Sequence, residues 1–179
     1  MRTQLFIAAL LIGLLPVTSV RGADDDVQLS EVAVRTLAAQ TILYREVETT
    51  IPQIGEVSAP IVEQLKKLVK DKKVVFDGCM IFVYHGATGQ PDQKFRLQVG
   101  IAVAEGTEAQ GEFKVQKLEP WKAATVLYGG PIQSIARAYE KLFGNLGGKQ
   151  PTGETREYYY HWEGPESNNN VELIAAGVQ

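Results

Sequence analysis

"GCMIFVYHG" (residues 78–86) and "YYYHWEG" (residues 158–164) are two copies of one pattern, and that reading decides the fold. Each is an apolar and aromatic run that reaches a histidine and then a glycine. A polar loop follows each, "ATGQPDQK" after the first and "GPESNNN" overlapping the end of the second. Aromatic and β-branched residues bounded by Gly, Pro and Asn form strands. Three more matches keep the same order. "AQTILY" (39–44) returns as "AATVLY" (123–128). "PIVEQLKKLV" (60–69) returns as "PIQSIARAYEKLF" (131–143). "FRLQVGIAV" (95–103) returns, more weakly, as "NVELIAAGV" (170–178). Ordered self-similarity at a near-constant spacing is the mark of an internal repeat.

The elements of each half follow from pattern. Ile61, Leu65, Leu68 and Val69 recur on one helical face, with Pro60 suited to the first turn. Ile132, Ile135, Ala136, Tyr139, Leu142, Phe143 and Leu146 do the same behind Pro131, and Gly147-Gly148 would end that helix. Leading strands are predicted over Val27–Ala33 and Phe113–Leu118. Each half then reads β-β-α-β-β, over about 27–104 and 112–178. The fold class is α+β: two pseudo-symmetric halves, antiparallel sheet, one helix per half and a central groove between them.

The first residues read as a targeting segment. Met1-Arg2 is followed by the apolar run "LFIAALLIGLLPV" (5–17), short for a membrane span and suited to a signal peptide over residues 1–22. The expected location is exported, periplasmic or extracellular, with no stable membrane anchor after cleavage and a folded domain over 23–179. Cys79 is the one cysteine in the sequence, so no intrachain disulfide forms. In an apolar strand it reads as a small buried hydrophobe. The pI near 5.5 and the lack of a basic stripe argue against nucleic acid as a partner. "KKLVKDKK" (66–73) reads as a solvated helix end. No G-x-S-x-G element or phosphate loop is present.

Strand alternation puts Glu157, Tyr159 and His161 on one side and Tyr158, Tyr160 and Trp162 on the other. Aligning "VYH" with "YYH" matches Ile81 to Glu157, Val83 to Tyr159 and His85 to His161. An acid in one copy where the other has an aliphatic residue marks Glu157 for a role beyond packing. A carboxylate among aromatic rings attracts a cation by charge and by ring faces, each worth about 0.5–2 kcal/mol. Desolvation would also fit it for general acid–base work. Trp121, His85 and His161 are the other candidate walls of such a site, and no third ligand joins the histidines for a metal.

The order "LEPWKAATVLYGGP…AYEKLF…REYYYHWEGPE…VELIAAGV" resembles the GyrI-like (gyrase-inhibitor-like) small-molecule-binding domain, over about residues 27–178. The shared features are Tyr128-Gly129-Gly130-Pro131 at a strand end, "AYEKLF" in a helix, and Glu157-x-Tyr159 before a Pro-Glu loop. The same domain serves as the effector-binding half of some AraC-type and MerR-type regulators. The resemblance implies a duplicated SH2-like motif whose halves form a groove. It implies that Glu157 meets cationic or amphipathic small molecules there, without a cofactor. Some relatives are hydrolases, which keeps Glu157 open as a general base, and the related SOUL-type proteins keep haem binding open. No helix-turn-helix precedes the domain in this sequence, so the regulator role does not carry over.

Overall fold

The computed structural model describes residues 27–146 and 153–161, with the backbone of a further strand at 169–175. The segment expected to be a signal peptide, Gly147-Gly148 and Trp162 lie outside the described residues, as do the side chains of His161 and of that last strand. The order is β1 (Gln28–Leu29), β2 (Ala33–Leu37), β3 (Gln40–Thr49), α1 (Ile54–Lys70), β4 (Phe76–His85), β5 (Phe95–Val103), β6 (Lys114–Leu118), β7 (Trp121–Gly130), α2 (Ala136–Gly144), β8 (Glu154–His161) and β9 (Asn169–Ala175). Short 3-10 turns, Ile51–Gln53 and Ile132–Ser134, lead into the two helices.

The strands pair antiparallel in the order β1-β7-β9-β8-β4-β5-β3-β6, and β2 also pairs with β7. Within one half β3-β5-β4 are neighbours; within the other, β7-β9-β8 repeat that arrangement, and β4 joins β8 at the centre. The leading strands are exchanged: β2 pairs with β7 of the second half and β6 with β3 of the first. Leu37 lies opposite Trp121 and Gln40 opposite Leu118. The links 38–39 and 119–120 between them are too short to span more than roughly 10 Å. So β2 runs on into β3 beside β6 running on into β7, and the two ends of the sheet are tied together.

This curls the sheet on itself and gives it two buried faces. Ile42, Cys79, Ile81, Val83, Ala102 and Tyr158 pack on the inner face with Leu37, Tyr44 and Trp121. The outer face carries both helices. There Leu43, Phe82, Leu97, Val99 and Val126 pack against Ile61 and Leu65 of α1 and Ala138 and Leu142 of α2. Burying a side chain of this size contributes about 1.5–3 kcal/mol. Close approach of β3 and β5 depends on Gly100. A Cβ there would lie 2.7 Å from the Leu43 carbonyl oxygen and 2.8 Å from the Tyr44 Cβ.

An approximate twofold axis relates the halves. It passes through the paired links 38–39 and 119–120 and through the Phe82–Glu157 pair of the central ladder. Under it Tyr84 corresponds to Tyr159, and Phe82 to Glu157. The expected pseudo-symmetric α+β fold is therefore present, but the sequence match is one residue out of register at the central strands. Ile81 lies on the inner face and pairs with Tyr158, while Glu157 is on the helix face and pairs with Phe82. A one-residue slip exchanges faces along a whole strand. Tyr44 and Tyr128 are likewise on opposite faces.

Three boundaries also differ from expectation. The first leading segment divides into β1 and β2, which both pair with β7. The first helix begins six residues before Pro60, at Ile54. Ile54 and Val57 extend its apolar stripe backward. Pro60 leaves the Glu56 carbonyl without its helical donor, but both residues are on the exposed side of the helix, where such a loss costs least. Pro131 caps the second 3-10 turn, and α2 proper starts at Ala136 and ends at Gly144, with Asn145 as its C-cap. Cys79 is buried, and Lys66, Lys67, Lys70, Lys72 and Lys73 are exposed, as their sequence contexts predict.

Candidate functional site

Glu157 is 3% exposed and sits at the centre of the molecule, on β8 under the helices. Three phenols converge on its carboxylate. Tyr159, two residues along the same strand face, donates to Oε2 at 2.5 Å. Tyr84, a diagonal neighbour across the β4–β8 ladder, donates to the same oxygen at 2.6 Å. Tyr139 reaches down from α2 and donates to Oε1 at 2.6 Å. These lengths belong to hydrogen bonds between a hydroxyl and a charged oxygen.

Aromatic rings complete the enclosure. Phe82 lies 5.2 Å from Tyr159 and 6.5 Å from Tyr84, centroid to centroid, and Tyr84 lies 5.9 Å from Phe95. On the solvent side Tyr139 stacks on Phe143 at 6.0 Å. Burial pushes the Glu157 carboxyl above its ordinary range, and the three tyrosine hydroxyls pull it back in part. Burial and the neighbouring carboxylate push all three phenols well above theirs, so they stay neutral donors.

Among the described residues no cation contributes to that balance. Arg156 is adjacent in sequence, but alternation aims it at the opposite face. There it bonds Glu154 through Nε and Nη2, both at 2.7 Å, and its guanidinium carbon lies 4.3 Å from the centre of the Trp121 ring. A buried carboxylate held by neutral donors alone keeps most of the cost of its own desolvation. The arrangement can therefore do two things chemically. It can accept a positive charge, or it can take up a proton at a pH where a surface carboxylate would not.

The structure brings together two of the residues singled out from sequence, Glu157 and Tyr159. Trp121 belongs to the inner-face cluster, behind the sheet. His85 is at the end of β4 with Nδ1 3.4 Å from Glu154, and its Nε2 is buried without a hydrogen-bond partner. It too is away from the carboxylate. Sequence reasoning missed Tyr84 and Tyr139. Both stand in motifs that carry the repeat, "FVYHG" and "AYEKLF", but one-residue misalignment of the central strands hid Tyr84, and no pattern within a helix shows which strand residue it covers.

The carboxylate is enclosed rather than open to a groove. Of the surface depressions, one of about 380 Å³ is bordered by Gln28, Leu29, Leu127, Tyr128 and Tyr160. Another, of about 330 Å³, lies between the end of α1 and residues 110–113. Neither is lined by Glu157. Tyr128 is not part of the carboxylate site, because its hydroxyl donates to the Pro131 carbonyl.

The fold recurs in solved structures of low sequence identity. The EcmrR C-terminal domain superimposes with a TM-score of 0.64 at 14% identity, covering 83% of this chain and 98% of that one. In the complex of EcmrR with DNA the chain spans 58% of the EcmrR chain. An integron cassette protein from Vibrio cholerae gives 0.58 at 14% identity, over 86% and 99% of the two chains. SAV2435, solved with tetraphenylphosphonium bound, gives 0.56 at 10% identity, over 83% and 95%. No curated protein matches by sequence. The model of the GyrI-like small-molecule-binding domain matches residues 30–176, nearly the whole of the described fold, and the chain belongs to that family.

Proposed function

We propose that this is an exported binding protein for an organic cation carrying apolar or aromatic groups, with Glu157 as the charged anchor. The observation that supports this most is the buried carboxylate with three neutral phenol donors and no cationic partner among the described residues. A lipophilic cation supplies the missing charge. Its substituents lie against Phe82, Tyr84, Tyr139 and Tyr159, where cation–π contacts contribute about 0.5–2 kcal/mol each. A hydrated inorganic cation would gain nothing from those rings. Among relatives of the same fold, SAV2435 is a protein that binds tetraphenylphosphonium.

Access follows from the hydrogen bonds. Tyr84 and Tyr159 are fixed in the central ladder, whereas Tyr139 rides on α2, a helix of nine residues resting on the sheet through Ala138 and Leu142. Entry of a ligand replaces the Tyr139 bond and leaves the two strand tyrosines in place. The apolar N-terminal segment supports export, and the ligand would then be met outside the cytoplasm. Tetraphenylphosphonium should raise the melting temperature of the wild type in proportion to the logarithm of its concentration. The same shift in Glu157→Gln would remove the carboxylate from the binding role. Loss of the shift in Glu157→Gln, with the folded state intact, is the expected result.

A further inference from the structure

The site is built on a twofold scaffold, and the scaffold is broken at the charge. Tyr84 and Tyr159 are symmetry mates, and both donate to Glu157 Oε2. The residue equivalent to Glu157 is Phe82, directly across the central ladder and beside the axis itself. Continuing the relation set by the two 3-10 turns, Tyr139 has Ser58 as its counterpart, buried in α1. One half thus supplies an acid and a third phenol, and the other supplies a ring and a small side chain at the same places. The halves share their backbone and one tyrosine each, but the charge is not duplicated.

We propose that Phe82 is a specificity-determining residue that limits the site to ligands with a single cationic centre. This rests on the proposed cation-binding function and narrows its ligand class to organic monocations. The ring of Phe82 is 6% exposed and packs 5.2 Å from Tyr159, so it occupies the position from which a second carboxylate would act. A first cationic centre pairs with Glu157. A second one on a compact ligand comes to lie near Phe82 and its tyrosine neighbours, desolvated and without an opposing charge. Ring faces attract a cation, but they do not replace the hydration that a second charge gives up on burial.

The test compares tetraphenylphosphonium with an ethane-bridged bis(triphenylphosphonium), whose two charges are too close for one to remain outside. Calorimetric titration of the wild type should give at least tenfold weaker binding for the dication. Phe82→Glu should move the affinity ratio at least tenfold toward the dication, and Phe82→Gln, polar but uncharged, should not. Dication binding by the wild type as tight as monocation binding overturns the assignment, and this arm needs no variant to fold. A folded Phe82→Glu with an unchanged ratio also overturns it. If neither cation binds the wild type, the proposed function falls as well. If tetraphenylphosphonium binds through Glu157 and the ratios fail, Phe82 alone is reassigned.

Discussion

Glu157 differs from an ordinary surface glutamate in where its charge is balanced. Burial raises its pKa, so the folded state holds the proton more tightly than the unfolded chain does. Its contribution to stability is then fully present below the unfolded value and is lost as pH rises through the folded value. The wild type should therefore lose stability relative to Glu157→Gln as pH climbs from the ordinary carboxylate range through the raised one. Paired denaturant titrations at a series of pH values measure this. A wild type that instead gains on the variant over that interval contradicts the charge balance described for the site.

The tyrosines make a second prediction at the same scale. A hydrogen bond to a charged group is worth about 1.5–3 kcal/mol. Tyr84→Phe and Tyr159→Phe should each cost stability of that order when Glu157 is ionised, and less when it is protonated at low pH. In the Glu157→Gln background the two changes should cost less than in the wild type, which a double-mutant cycle reads directly. Glu157 and Tyr159 were legible from alternation in one strand. Tyr84 was not, because its place depends on the register of a neighbouring strand 73 residues away. Tyr139 was not, because nothing local to α2 says what lies under it.

At the level of elements, the sequence pattern located both helices and the strand cores other than β2, and erred at their ends. Pro60 illustrates the reason. A proline reads as a helix start, yet hydrophobic contacts by Ile54 and Val57 outweigh one lost backbone bond on the solvent side. Pro60→Ala restores the donor to the Glu56 carbonyl and relieves a helix-interior proline, worth up to about 3 kcal/mol in an exposed helix. It should raise the midpoint of unfolding. Gly100 carries the opposite prediction. A methyl group there meets the backbone of β3 below normal contact distance, so Gly100→Ala should cost at least the ~1–3 kcal/mol typical of overpacking. Wild-type stability in Gly100→Ala would show that β3 and β5 can move apart freely.

For the whole molecule, duplication is what made the fold readable, and imprecise matching is what blurred it. Repeats were found as similar words, but sheet faces depend on odd and even positions, and a match that is one residue out reverses them. The exchange of β2 and β6 between halves was also hidden, because each segment looks like a leader to its own half. Only the short links 38–39 and 119–120, read together with the pairing, reveal that the sheet is tied at both ends. Strands bound on both sides and sealed on both faces open last. Amides of β4 and β5 should therefore be the slowest in hydrogen exchange, and those of β1 should be much faster.

The axis of this closed sheet passes beside a carboxylate, and the proposed function depends on what that carboxylate does. Isothermal titration of tetraphenylphosphonium into the wild type and Glu157→Gln, each shown to be folded, tests it most directly. Loss of a close charge pair in a desolvated site predicts that the variant binds at least tenfold more weakly. The uptake or release of protons on binding should also disappear with the carboxylate. Equal affinity in the two proteins, or no binding by the wild type, would contradict the assignment of Glu157 as the anchor for a cation.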